Sequence, residues 1–273
     1  MGQNVVAGER RRAPVIPLYR GYAFDLDGTL YLGDHLIDGA DRVVAGLRAT
    51  GARVVFVTNK PLETSLDYAR KLTRLGIPAE PSDVISAIDA LILYLVERHP
   101  GARVLAVAEP VLIHELDLAG FTVTDDPVQT DVVVVSFDRT FDYDKLTRAY
   151  QAVNAGAVIV ATNPDPYCPT PDGGLPDCAA MLAAIEACTG ARAEAIVGKP
   201  SIHMANAFLD RLGVPAADAV MVGDRLLTDV AMGLNAGMAS VLVMSGATTE
   251  QLLADSTVSP THVIDDVRGL IAL

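Results

Sequence analysis

The stretch Tyr22-Ala23-Phe24-Asp25-Leu26-Asp27-Gly28-Thr29-Leu30 constrains this chain more than any other: an apolar run ends in two carboxylates one residue apart, and a glycine follows. In a strand, residues i and i+2 project from the same face, so Asp25 and Asp27 can crowd one small space at a sheet edge. Two anions that close repel unless a proton or a cation lies between them. The pair therefore points to a metal site, a nucleophile beside an acid, or both. Taken alone, the string also fits two solvated aspartates in a turn.

Around it the apolar pattern alternates between strand and helix. Residues 21–25 read as a strand, 38–50 as a helix that Asp38 could cap and Gly51 stop, and 53–57 as a buried, β-branched strand. Thr58-Asn59-Lys60-Pro61 follows, then a helix to Leu75 closed by Gly76. Further helices are expected at 84–97, 111–118, 143–154 (capped by Asp142), 177–188, 201–212 and from 224 to about 235. Strands are expected at 103–107, 131–137, 157–161, 195–197, 219–222, 240–244 and 263–264. Residues 163–176, rich in Pro and Gly, read as an irregular loop. This order favours an α/β fold whose core is a doubly wound, Rossmann-like parallel sheet with crossover helices.

Composition narrows the partners. A net charge of −13 argues against nucleic acid and anionic membrane, which both demand basic patches. No apolar run approaches the roughly 18 residues of a membrane helix. Arg10-Arg11-Arg12 has no apolar stretch behind it, so residues 1–20 read as a flexible N-terminal tail rather than a signal peptide. Cys168, Cys178 and Cys188 match no zinc pattern and are odd in number, which suits reduced thiols and a cytoplasmic location.

Four of the expected strands end in polar clusters: Asp25/Asp27, Thr58/Asn59, Gly198/Lys199, and Gly223/Asp224 with Asp229 beyond. Ligands bind outside the carboxyl ends of strands in open parallel sheets; if these four strands share a sheet, the clusters meet at one edge. The gap from Asn59 to Lys199 far exceeds the ~30 residues of one βαβ unit. The expected division is a core of residues 21–84 and 190–273 and an inserted domain of residues 85–189.

Asp25-Leu26-Asp27-Gly28-Thr29-Leu30, Thr58-Asn59, Lys199-Pro200 and Gly223-Asp224-Arg225-Leu226-Leu227-Thr228-Asp229 resemble the four motifs of the haloacid dehalogenase superfamily. The last string, the insert and Asn163-Pro164-Asp165 look like its NagD-like, p-nitrophenyl-phosphatase branch, subclass IIA, in which the insert is an α/β cap. The resemblance implies a Mg²⁺-dependent phosphatase acting on a small-molecule phosphate monoester, a sugar phosphate, nucleotide or similar, through an aspartyl-phosphate. It implies Asp25 as nucleophile, Asp27 as acid and then base, and Lys199 as fixed positive charge. Thr58, Asn59, Lys199 and Gly28 would hold the phosphate. Asp25, Asp224 and Asp27 (through its carbonyl) would hold Mg²⁺, and Asp229 would orient Lys199 or a metal-bound water.

Two departures bear on the substrate. Lys60-Pro61 stands where the family often has Asn or Ser, and Pro176-Asp177-Cys178-Ala179 stands where the cap loop usually reads Pro-Gly-x-Gly. An added anion in the cleft disfavours highly charged leaving groups. Selectivity is expected from Asn163, Asp165 and Tyr167 in the 163–176 loop. A phosphotransferase or mutase passing the same aspartyl-phosphate to another hydroxyl is the alternative, and a catalytically silent sugar-phosphate-binding protein the rival outside enzymes. Asp27 speaks against dehalogenation, which needs no such acid. A homodimer or higher homo-oligomer through the cap is left open.

Overall fold

The computed structural model describes residues 16–170 and 173–271; most of the expected N-terminal tail lies outside them. In chain order the strands are β1 (Gly21–Asp25), β2 (Tyr31–Leu32), β3 (His35–Leu36), β4 (Arg53–Thr58), β5 (Val84–Ser86), β6 (Arg103–Val107), β7 (Thr122–Val123) and β8 (Val132–Val135). After them come β9 (Val158–Ala161), β10 (Tyr167–Thr170), β11 (Gly173–Pro176), β12 (Ala195–Ile196), β13 (Ala219–Gly223), β14 (Ala239–Val243) and β15 (His262–Ile264). The helices are α1 (Ala40–Ala49), α2 (Ser65–Arg74), α3 (Ala87–Arg98), α4 (Pro110–Leu118), α5 (Tyr143–Asn154), α6 (Cys178–Thr189), α7 (Ile202–Leu212), α8 (Ala231–Asn235) and α9 (Glu250–Asp255).

Two parallel sheets organise these elements. One has the order β15-β14-β13-β1-β4-β5, the other β12-β9-β8-β6-β7. Sheets of this kind are covered by helices on both faces, so their strands are apolar throughout; Val132–Val135 is buried at every residue. An apolar cluster on one face of the first sheet joins Tyr22, Phe24 and Phe56 to α1 and α2. A second cluster runs from the other face, through α3 and α7, to Val104, Val132 and Val160 of the second sheet. The far face of the second sheet packs on α5 and α6.

Several elements depart from the pattern read in the sequence. The helix expected from residue 84 begins three residues later, because Val84–Ser86 pairs with β4 and Ser86 then caps α3 by accepting from Asp89 N–H. Asp38 does not cap α1; Gly39 occupies that position, and Asp38 bonds Arg268 at 2.9 Å. The 163–176 loop folds into the antiparallel hairpin β10–β11. The strand near 195–197 does not join the first sheet: β12 pairs with β9 in the second. Its partner strand is β-branched and fully apolar, whereas the first sheet already ends at β5 and β15.

Candidate active site

Register brings the first sheet's polar ends together. Asp25 stands opposite Val57 in the β1–β4 pair, and Phe24 opposite Val222 in β1–β13. Thr58 and Asp224 therefore leave the sheet on either side of Asp25. Lys199 arrives from the second sheet. Pairing beyond β12 continues as Val197 N–H to Ala161 O at 2.9 Å and Gly198 N–H to Thr162 O at 2.8 Å, which delivers Lys199 across the gap between sheets. The Lys199–Pro200 peptide is cis.

At the centre, the Lys199 ammonium contacts Asp25 Oδ1 and donates to Asp229 Oδ1 at 2.7 Å. Burial alone would lower the lysine pKa; the Asp229 and Asp25 carboxylates outweigh it, so the group stays charged. Thr29 Oγ1 donates to Asp25 Oδ2 at 3.3 Å, and Arg225 N–H to Asp229 Oδ2 at 3.0 Å. Asp229 lies in a π-helical turn, Leu226–Val230, rather than in the regular helix expected after Asp224; such turns gather at functional sites.

Asp224 completes an acidic trio. Carboxylate oxygens of Asp25, Asp224 and Asp229 lie within 4.8 Å of one another. Burial first, then Asp25 and Asp229, push the Asp224 carboxyl up to about 7. Its Oδ2 accepts from Ala247 N–H at 2.6 Å and its main-chain oxygen from Thr248 Oγ1 at 2.6 Å, while Oδ1 is buried without a hydrogen-bond partner. A buried carboxylate oxygen left bare beside two more carboxylates is a donor set that fits a hard cation such as Mg²⁺. The Ser245–Thr248 turn that holds Asp224 escaped the sequence reading, although it follows the carboxyl end of β14 as the motifs follow theirs. Ser245 Oγ also donates to Gly28 O at 2.8 Å.

Gly28 serves this centre differently from the expectation. Its N–H donates to Tyr31 O at 2.8 Å and is not free for a phosphate. With φ at 91° and any Cβ only 2.4 Å from Asp224 Oδ2, the position admits glycine because Asp224 lies against it. Asn59 is also otherwise engaged. Its Nδ2 donates to Asp165 Oδ2 at 2.9 Å and Lys199 O at 3.1 Å, and its Oδ1 accepts from Lys199 N–H at 2.7 Å. Both amide hydrogens thus tie loops together, leaving none for a phosphoryl oxygen.

The selectivity residues divide in the same way. Asn163 Nδ2 donates to Asn59 O at 3.2 Å, and Asp165 meets both Asn59 and, at 3.8 Å, Arg225. These two fasten the second sheet to the first. Tyr167, at the foot of the hairpin, keeps 54% of its surface. With Asp165, Arg225 and Leu227 it lines a cleft of about 1290 Å³ whose wall includes neither Asp25 nor Asp27. Asp27 itself faces outward, its Oδ2 3.7 Å from Lys60 Nζ. Burial pushes its carboxyl above the usual range, with Lys60 opposing and Asp25 adding. The arrangement can position an anionic nucleophile, neutralise a bound dianion and offer a second carboxyl to a leaving oxygen.

A family model described as haloacid dehalogenase-like hydrolase matches residues 22–122, and one described as HAD-hydrolase-like matches residues 196–270. Sugar-phosphatase AraL of Bacillus subtilis is 35% identical over 262 residues, covering 95% of this chain and 94% of its own. The 4-nitrophenylphosphatase of Thermotoga maritima superposes with a TM-score of 0.88 at 33% identity, covering 92% of this chain and 96% of that one. A glycerol phosphate phosphatase of Mycobacterium tuberculosis, solved in complex with magnesium, gives 0.85 at 31% identity over 93% of this chain and 76% of its own.

Proposed function

The chain belongs to the haloacid dehalogenase-like hydrolases, in their NagD-like phosphatase branch, and we propose that it hydrolyses sugar phosphates or similar esters of neutral alcohols, with Mg²⁺, through an aspartyl-phosphate on Asp25. The observation that carries this reading is the trio of Asp25, Asp224 and Asp229, with Asp224 Oδ1 bare and Lys199 fixed against Asp25.

In this reading Asp25 attacks phosphorus, its carboxylate fixed by Lys199 on one oxygen and Thr29 on the other. Asp27 gives a proton to the leaving alcohol and later takes one from water. Thr58 Oγ1 accepts from Lys60 N–H at 3.1 Å and also bonds the Tyr68 hydroxyl, so a phosphoryl oxygen would take over that second bond. Asp229 keeps Lys199 charged and aimed. Asp25 and Asp224, with the Asp27 carbonyl, would hold Mg²⁺, which when bound supplies charge neutralisation to the phosphoryl oxygens. We take the second sheet with its helices as the cap, which carries its end past the expected residue 189 to β12, and the Asn59–Asp165 bond as its junction with the core. Asp165 in the cleft wall and Asp177 close to it favour a neutral, hydroxyl-bearing leaving group over an anionic one; the similarity to a sugar phosphatase supports the same choice.

Phosphate release from sugar phosphates, nucleoside monophosphates and p-nitrophenyl phosphate, with Mg²⁺ and with EDTA, tests the proposal. Release that needs Mg²⁺ and is fastest on a sugar phosphate is expected. Release indifferent to EDTA, or confined to nucleotides, would contradict it.

A further inference from the structure

Lys60 has no part in the steps above, yet its surroundings hold it in place. Its N–H donates to Thr58 Oγ1 at 3.1 Å, and its carbonyl accepts from the hydroxyl of Tyr68 at 2.9 Å. Tyr68 is buried in α2, so the main chain is fixed on both sides while the side chain reaches Asp27. There Nζ stands 3.7 Å from Asp27 Oδ2, and the two side chains keep 38% and 43% of their exposure. Lys71 also acts on Asp27, but its ammonium lies 3.9 Å from Asp34 and 4.1 Å over the Tyr31 ring, and the other cations near the carboxylates are committed elsewhere. Lys199 is enclosed by Asp25 and Asp229, and Arg225 leans on Asp165.

We propose that Lys60 is a positioning residue for Asp27: its ammonium holds one carboxyl oxygen so that the other faces the leaving oxygen of the ester. A carboxyl at the end of an aspartate turns freely about a broad, two-fold torsion. Without Lys60, the half-exposed carboxyl would keep only its main-chain hydrogen bond at Gly33 and turn more often to water. An exposed pair of this kind contributes little to stability, so a purely structural role is a poor account of a lysine anchored at both main-chain groups. The Gly33 main chain also bonds the Asp27 carboxyl, so Lys60 completes an orientation that Gly33 begins. The inference rests on the phosphatase reading, with Asp27 as the proton donor.

An acid matters only where the leaving group needs its proton. Aryl phosphates of similar shape and rising leaving-group basicity, from p-nitrophenyl through phenyl to p-methoxyphenyl phosphate, read that need without changing the fit. The wild-type kcat/KM should vary little across the series. Read as kcat/KM, which excludes the later attack of water, the loss in Lys60→Met should be about ten-fold greater on p-methoxyphenyl than on p-nitrophenyl phosphate, with an unchanged melting temperature. Lys60→Arg should recover most of that difference, since a cation returns to Asp27. Equal loss on all three esters, no loss on any, or no recovery with arginine overturns the role of Lys60 and leaves the phosphatase reading standing. A wild-type protein inactive on the whole series overturns both.

Discussion

Asp177 caps α6, accepting from Cys178 N–H at 2.6 Å, and its carboxyl is pushed up to about 6, by burial first and then by Asp165 beside it. A carboxyl raised in the folded state from an unfolded value near 3.8 binds a proton that the unfolded chain has already lost. Stability therefore falls as pH rises between those values, and the full cost is present above about pH 6. Asn caps a helix as well as Asp and carries no charge. Asp177→Asn is expected to stabilise the protein by on the order of 1–3 kcal/mol at pH 7.5, with the gain vanishing towards pH 4. Melting temperatures of the two proteins across that range check it; a gap independent of pH would contradict it. At this scale Asp25, Asp27, Lys199 and Asp224 were legible because each follows an apolar strand, and position at a strand's carboxyl end is written in the sequence. What Asn59 and Gly28 do was not legible. Asn59 bonds Asp165 and Lys199, and Gly28 makes room for Asp224; those partners are 106 and more residues away along the chain.

The elements were readable in kind and less so in membership. Apolar, β-branched runs predicted the strands, but 195–197 carries no mark of which sheet it joins, and only pairing with β9 decides it. The hairpin β10–β11 was hidden by its prolines and glycines, which signal turns more strongly than strands. Its closure changes what Asp165 and Tyr167 should do. Asp165 is bonded to Asn59 and close to Arg225, whereas Tyr167 is half exposed in the cleft wall. Asp165→Ala should lower kcat/KM on every ester by a similar factor, because it loosens the junction between sheets. Tyr167→Ala should instead change the preference among sugar phosphates by about ten-fold, the size of one lost contact. A panel of sugar phosphates assayed with both variants checks this; the reverse assignment would show that the hairpin's roles are exchanged.

Across the whole molecule, two sheets share one continuous apolar cluster through α3 and α7, and their polar edges meet at a single group of carboxylates. Among the described residues, no helix is long and apolar enough to cross a membrane. On a chain of net charge −13, Lys199 offsets only part of the repulsion among three crowded carboxylates, and a further cation would relieve the rest. Mg²⁺ that binds only the folded form stabilises it by mass action. It should raise the melting temperature of the wild type and do so far less for Asp224→Ala; equal shifts would place the cation elsewhere. The account stands or falls on Asp25 as the nucleophile. The most direct measurement is the rate of Mg²⁺-dependent phosphate release from p-nitrophenyl phosphate by Asp25→Asn beside the wild type, with the melting temperature of each to show that both are folded. A neutral amide of the same shape cannot form the acyl-phosphate, so a fall of about 10³-fold or more is predicted; a folded variant keeping a tenth or more of the wild-type rate would contradict it.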